Sequence, residues 1–173
     1  RLFGGERSAE CSTATLIFNM MAKRLFDFVS ALMAVILLSP FLVTIAIMVA
    51  LSSKGPVFYR QKRVGRNNRD FLIFKFRTMY VNSDRGSLLT IGGKDTRITP
   101  VGYYLRKYNL DELPQLINVL IGEMSIVGPR PEVRKYVDLY SAEQLRILDV
   151  RPGLTDDASL AFSNDSFPSL NDN

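Results

Sequence analysis

Histidine and tryptophan are absent from this 173-residue chain, and cysteine occurs once, as Cys11. The lack of histidine removes the usual general base of neutral-pH catalysis, so any catalytic work falls to carboxylates, Lys, Arg, Tyr or a metal. A single cysteine excludes an internal disulfide framework and suits a reducing compartment. Zinc-finger spacing, an RNA-binding consensus and a recognition-helix pattern are all missing, so nucleic acid is not an expected partner. Repeats and heptads are missing too, which leaves one domain's length of chain rather than an array. Charge is missing locally: the twenty-four residues from Phe28 to Leu51 hold no Asp, Glu, Lys or Arg.

As a continuous helix that run would extend roughly 36 Å, enough to cross the hydrocarbon core of a bilayer. Pro40 stands near its middle with no amide hydrogen for the Ile36 carbonyl, and its ring crowds that carbonyl, so a kink or break is expected there. Ser39 can offer its hydroxyl to a freed carbonyl, which makes a bend tolerable in lipid. Lys23 and Arg24 precede the run and Lys54 follows it. Cations at both ends suit a re-entrant segment whose ends share the cytoplasmic side, because the positive-inside tendency is then met twice. A tilted spanning helix and a buried helix of a soluble domain are the alternatives. A cleaved signal peptide fits poorly, since the run is too long, contains Pro40 and lacks a small-x-small cleavage pattern. Residues 1–22 show no clear period and read as a flexible N-terminal extension.

What is plentiful is positive charge, with 22 Lys and Arg against 17 Asp and Glu and a net charge of +5. Beside an apolar anchor this excess points to anionic lipid headgroups or a phosphorylated substrate. It is concentrated in residues 54–77, where Lys54, Arg60, Lys62, Arg63, Arg66, Arg69, Lys75 and Arg77 stand against Asp70 alone. Val57 to Tyr59 and Phe71 to Met79 read as strands, the second placing Lys75 and Arg77 on one side to meet lipid phosphate or a substrate diphosphate. Residues 82–99 are polar and glycine-rich, as in a loop or lid. Pro100 can open a helix over 101–108; a second helix is expected over 111–120 and a third over 132–148. Between the last two, Ser125 to Pro131 reads as a rigid turn.

The second helix carries the most suggestive pair. Pro114 is tolerated in a first helical turn, which puts Asp111 at the N-cap and Glu112 at the first helical position. Orphan amides and the helix dipole there favour an ionised carboxylate and a bound phosphate alike. On pattern alone, simple capping explains the pair equally well. Its company tips the balance: Arg97 and Arg106 lie upstream, Arg130 is held between Pro129 and Pro131, and Arg151 precedes Pro152-Gly153. Arginines fixed in rigid turns suit bidentate phosphate recognition. A carboxylate can attack phosphorus at neutral pH without a base to activate it, which answers the missing histidine. Alternatively the pair could hold Mg2+, with water and substrate oxygens completing the octahedron.

A series of motifs in fixed order carries a resemblance. Lys23-Arg24-Leu25-Phe26-Asp27, Ser39-Pro40, Gly55-Pro56-Val57-Phe58 with Gln61, Arg63 and Gly65, Lys75-Phe76-Arg77-Thr78-Met79, Asp95-Thr96-Arg97, Leu110-Asp111-Glu112-Leu113-Pro114-Gln115-Leu116, Asn118-Val119-Leu120, Gly122-Glu123-Met124-Ser125 with Val127-Gly128-Pro129-Arg130-Pro131, and Arg151-Pro152-Gly153 resemble the bacterial sugar transferase family, the small monotopic polyprenyl-phosphate phosphoglycosyl transferases. The likeness covers residues 23–155. The expected fold is α/β, mainly helical with a small sheet from the Val57 and Phe71 regions. Residues 23–53 form a re-entrant, proline-broken membrane helix in that expectation, and residues 54–173 a cytoplasmic catalytic domain. The resemblance implies Mg2+-dependent transfer of a sugar 1-phosphate from a UDP-sugar to undecaprenyl phosphate, releasing UMP, at the cytoplasmic face of the bacterial inner membrane. This is the first membrane step of surface polysaccharide synthesis. It implies Asp111 as a nucleophile that carries a covalent phosphosugar, Glu112 as its helper with metal and acceptor, and Arg130 on substrate phosphate. Lys75, Arg77, Arg97, Arg106 and Arg151 complete the expected phosphate-binding set, and Asp111 with Glu112 the metal ligands. Anionic lipids join the two substrates as partners, and self-association is left open.

The departures lie at the C-terminal end. Many members of the family continue after the Arg-Pro-Gly turn with Gly, Gln and a Gly-Arg, whereas Asp156-Asp157-Ala158-Ser159-Leu160-Ala161-Phe162 follows here and the sequence stops at Asn173. A divergent branch with another sugar preference and a truncated chain of weak or no activity both accommodate this. The alternative function is a membrane-associated scaffold or regulator that keeps the fold without turnover, and release of UMP separates the two.

Overall fold

The computed structural model describes residues 5–81 and 95–156, with side chains from residue 18 onward. The expected lid over 82–99 and the divergent stretch beyond Asp156 therefore lie largely outside the described residues. Helix α1 occupies Gly5–Ser52, 48 residues. Over Phe18–Ser52 it is the one helix among the described residues long and apolar enough to cross a membrane. Its backbone starts well before the boundary expected at residue 23, because residues 6–39 contain neither Gly nor Pro and include many good helix formers.

Only 11% of the apolar window of α1 is buried, and the burial follows one stripe. Asp27, Ala31, Ile45 and Val49 are buried, while Ala34, Val35, Leu38, Leu42 and Ala46 are partly so. These positions recur at three- and four-residue steps, the spacing that puts side chains on one helix face. The rest of the circumference exposes Leu25, Phe26, Ile36, Leu37, Val43 and Leu51. Before Pro40, Ala31 packs with Ile73, Leu116, Val119 and Met124; after it, Ile45 and Val49 pack with Phe76 and Leu105. Each buried Val, Leu, Ile, Phe or Met contributes about 1.5–3 kcal/mol, so the body grips the helix along its length rather than at one joint. Between the two clusters the helical pattern continues through Pro40. The Ile36 carbonyl, which Pro40 leaves without an amide, accepts the Ser39 hydroxyl at 2.8 Å, so the expected break is bridged.

Strands β1 (Phe58–Val64) and β2 (Asp70–Phe76) pair antiparallel, as expected for a small sheet from these regions. Asn67 and Asn68 take left-handed backbone in the connecting turn, a conformation asparagine tolerates. The register sets Tyr59 opposite Lys75, Gln61 opposite Ile73 and Arg63 opposite Phe71, so these six share one face. Helix α2 (Pro100–Lys107) opens on Pro100 as expected, and the Thr99 hydroxyl caps it by accepting the Gly102 amide at 2.9 Å.

Two expected helices are revised. The helix expected over 111–120 is a 3-10 turn, Leu110–Gln115, that leads into α3 (Leu116–Ile121). Pro114 has no amide to give and disfavours α conformation at Leu113, so the tighter turn forms, and Asn109 in left-handed backbone takes the N-cap instead of Asp111. The helix expected over 132–148 is a four-residue α4 (Arg134–Val137) and a separate 3-10 turn, Gln144–Asp149. Ser141 interrupts it by a reciprocal cap: its amide donates to Gln144 Oε1 at 2.8 Å and its hydroxyl accepts the Gln144 amide at 3.3 Å. A parallel pair was not foreseen, β3 (Ser125–Val127) beside β4 (Gly153–Thr155). Its three-residue strands are too short for an alternation to show in the sequence.

Candidate active site

Lys75 and Arg63 come from the shared face of β1 and β2, and the 3-10 turn packs across that face. Glu112 is the meeting point. Lys75 Nζ and Arg130 Nη2 both reach its Oε1, each at 2.7 Å. Burial acts to raise the Glu112 carboxyl, but Lys75 and Arg130 outweigh it and hold the group below the usual carboxylate range. Asp111 beside it is 8% exposed. Among the described residues no other side chain gives its carboxylate a hydrogen bond or an ion pair. Burial pushes the Asp111 carboxyl above its ordinary value and Glu112 adds repulsion, against the opposing pull of Lys75 and Arg106. Two adjacent carboxylates thus sit in opposite states of compensation.

Arg130 is delivered by a turn that needs glycine on both sides of a close approach. The Gly153 amide donates to the Pro129 carbonyl at 2.9 Å and the Gly128 amide to the Thr155 carbonyl at 3.1 Å. A Cβ at Gly153 would fall 2.2 Å from the Gly128 amide nitrogen, so any side chain there would push the two turns apart. Arg130 extends from this frame with its side chain half exposed, placed to meet an anion entering from solvent. Arg106 stands on α2 with Nε donating to Thr78 Oγ1 at 2.8 Å, within electrostatic reach of Asp111.

The expected cations therefore divide. Lys75, Arg106 and Arg130 gather around the carboxylate pair. Arg77 lies just past the end of β2 and turns the other way: it is 6% exposed, and its Nη2 donates to the Val49 and Ser53 carbonyls at 3.1 and 2.6 Å, while Nη1 donates to the Pro56 carbonyl. It closes the C-terminal end of α1, where orphan carbonyls and the helix dipole favour a cation. Arg97 is engaged by Asp95, whose carboxyl it lowers to about 2. Arg151 Nε donates to the Gly122 carbonyl at 2.9 Å, beside Arg24, which takes the Val119 and Leu120 carbonyls at 2.6 and 2.9 Å. Both arginines cap α3.

Arg63 belongs to the site although it was not among the expected site residues. It lines the same cleft as Lys75, Glu112, Gln115 and Arg130, and its Nη1 donates to the Pro131 carbonyl at 3.2 Å, steadying the Arg130 turn. Burial lowers its affinity for a proton. Its place on the same sheet face as Lys75 follows from the β1–β2 register, the signal that the basic run by itself did not carry. Gln115, 4% exposed, was likewise missed. Among the described residues no group of three or more Cys, Asp or Glu forms a metal cage. Two carboxylates suit Mg2+ when phosphate and water oxygens supply the remaining ligands. The arrangement as a whole can receive a diphosphate on Lys75, Arg63, Arg106 and Arg130 and present a carboxylate to it.

The chain is similar to known sugar-phosphate transferases. A family model described as bacterial sugar transferase matches residues 18–169. The chain is 44% identical over 137 residues to the UDP-N-acetylgalactosamine-undecaprenyl-phosphate N-acetylgalactosaminephosphotransferase of Aeromonas hydrophila, covering 77% of this chain and 32% of that protein. It is 44% identical over 142 residues to the UDP-glucose:undecaprenyl-phosphate glucose-1-phosphate transferase of Xanthomonas campestris pv. campestris, covering 80% and 29%. To the exopolysaccharide production protein ExoY of Rhizobium meliloti it is 43% identical over 150 residues, covering 78% and 66%. The chain thus matches about a third of the length of the first two relatives and about two thirds of the third.

Proposed function

The chain belongs to the bacterial sugar transferase family, and from that premise we propose that it transfers a sugar 1-phosphate from a UDP-sugar to undecaprenyl phosphate and releases UMP. The observation that carries the proposal is Asp111, a buried carboxylate with no side-chain partner among the described residues, set beside a neighbour saturated by two cations. A carboxylate in that state is available to form a bond. In the first step an Asp111 oxygen attacks the sugar-bearing phosphorus, and the bond from that phosphorus to the bridging oxygen breaks. UMP leaves with the electron pair, so no proton need move. Arg130, Lys75 and Arg63 neutralise the diphosphate and the charge that develops on the leaving phosphate. In the second step an oxygen of undecaprenyl phosphate attacks the same phosphorus and frees Asp111. Mg2+, held by Asp111 and Glu112 together with substrate oxygens, would supply further charge neutralisation at the diphosphate.

The acceptor is a lipid, so the site has to lie at the membrane surface. Arg24 and Asp27 near the start of the apolar run, and Arg77 at its end, all tie α1 to the same body. A helix gripped by one body on both sides of Pro40 is not free to cross a bilayer roughly 30 Å thick by itself, which supports a monotopic anchor at the cytoplasmic face of the inner membrane. We assign the turn of such an anchor to Pro40, through which the helical pattern of α1 runs unbroken here. Intact-protein mass spectrometry tests the proposal: UDP-sugar without acceptor should leave a hexose-phosphate adduct on the peptide holding Asp111, absent from Asp111→Asn. An equal adduct on the Asn variant would move the nucleophile to another residue, and UMP release with acceptor present but no adduct on either protein without it would favour a direct, single-step displacement. A wild-type chain that binds UDP-sugar but releases no UMP would favour the scaffold reading.

A further inference from the structure

Asn118 is 0% exposed, on the face of α3 turned towards β2. Burying a helical asparagine is costly unless both halves of its amide are satisfied. The strand satisfies them. The Phe74 amide donates to Asn118 Oδ1 at 3.1 Å, and Asn118 Nδ2 donates to the Leu72 carbonyl and to Glu123 Oε2, each at 2.8 Å. The sheet has two strands, so this edge of β2 has no strand partner, and one side chain takes the place of one. The Asn118 carbonyl in turn accepts the amides of Gly122, Glu123 and Met124, which folds Glu123 back onto the same amide.

The location gives this bond a second consequence. Lys75 directly follows Phe74 and reaches Glu112 at 2.7 Å, and the turn carrying Glu112 continues into α3. Asn118 therefore closes a ring that runs from Phe74 through Lys75, Glu112 and the start of α3 back to the strand. Without the amide, β2 can slide against the turn, and the reach of Lys75 to Glu112 changes with it. We infer that Asn118 is a positioning residue that fixes Lys75 against Glu112 without touching substrate. The inference rests on the sugar-phosphate transfer proposed for this site.

The test uses the full chain in lipid nanodiscs, with Asn118→Leu, Asn118→Asp, Lys75→Gln and the Asn118→Asp/Lys75→Gln double variant. Asn118→Asp should lower kcat about tenfold or more while KM for the UDP-sugar moves less than about twofold, the split of an interaction made in the transition state. The double variant should be no slower than Lys75→Gln alone, because both changes remove one interaction. A buried Asp facing the Glu123 carboxylate is protonated more readily than usual and then offers one O–H donor where the amide gave two N–H, so the Asp variant should recover in part as pH falls, and the Leu variant should not. A second readout needs no turnover: amine-reactive labelling of Lys75, followed by peptide mass spectrometry, should speed up in both Asn118 variants. Additive losses in the double variant, or unchanged Lys75 labelling, would overturn the inference. If Asn118→Leu does not fold, the pH recovery of the Asp variant carries the decision. If the wild-type chain releases no UMP, the transfer reading fails while the labelling still judges Asn118.

Discussion

Asp27 and Asp111 are both buried carboxylates, 3% and 8% exposed, yet their surroundings are opposite. Asp27 is saturated: it accepts the Ile126 amide at 3.1 Å and the Ser125 hydroxyl at 2.8 Å, with Lys23 Nζ at 3.4 Å. Asp111 has cations within electrostatic reach but none bonded to it. A saturated buried carboxylate is a joint, here between α1 and β3. One left without a side-chain partner among the described residues is a standing cost, and folds retain such costs where chemistry needs them. Burial alone would have made the two residues look alike.

The comparison can be broken most directly at Asp111. Asp111→Asn should lower UMP release by at least about 10^3-fold, the scale seen when a nucleophile is removed. Stability should move the other way. The folded state raises the Asp111 pKa, so its favourable contribution is complete below the unfolded pKa and is lost as pH rises through the folded one; at neutral pH the ionised group is a penalty. The Asn variant should therefore melt at the same or a higher temperature than wild type at neutral pH, and a clearly lower Tm would place Asp111 in the same class as Asp27.

Asp27→Ala should have the reverse profile. Breaking a buried, paired charge costs roughly 3–5 kcal/mol, so thermal unfolding should shift down strongly while the surviving folded fraction keeps its KM. A variant of normal stability would show that the joint does not depend on that carboxylate. Next in size, Arg77→Met removes a charged cap from three carbonyls and should cost roughly 1.5–3 kcal/mol, with faster proteolysis around residues 53–57 as α1 loosens. If Arg77 bound substrate instead, KM would rise and proteolysis would not change.

The smallest effect concerns Glu112. Its folded pKa is depressed, so the stability it contributes is present above the unfolded carboxylate pKa and is lost as pH falls through the folded value. Thermal melts along an acid series should show this loss in wild type and a shallower one in Glu112→Gln. Identical slopes would mean that Lys75 and Arg130 do not hold the charge.

How legible was this in the sequence? The apolar run, the two strands and the Pro100 start of α2 were readable because each rests on local rules of composition, alternation and capping. Pro114 was read as compatible with a helix start, when the ring and the left-handed Asn109 together demanded a 3-10 turn. Ser141 looked like an ordinary polar position within a helical run, and its reciprocal bonds with Gln144 emerge only once the turn has formed. Among the arginines, sequence counts charge but cannot say what each guanidinium meets. Arg77 and Arg151 meet helix carbonyls, Arg97 meets Asp95, and Arg63 enters the site by strand register.

By itself the sequence determined the apolar helix, the excess of cations beside it, the reliance on carboxylates in a chain without histidine, and an Asp-Glu pair between rigid turns. These follow from residue identity and spacing, which act over a few residues. Tertiary structure alone decided that α1 lies along the body rather than standing apart from it, which cations reach Glu112, and that Asp111 is buried with no side-chain bond among the described residues while Asp27 is buried with three partners. Partners such as Asp27 and Ile126, or Lys75 and Glu112, are brought together by packing across distant stretches of chain, and the energy of a buried charge is set by what surrounds it there.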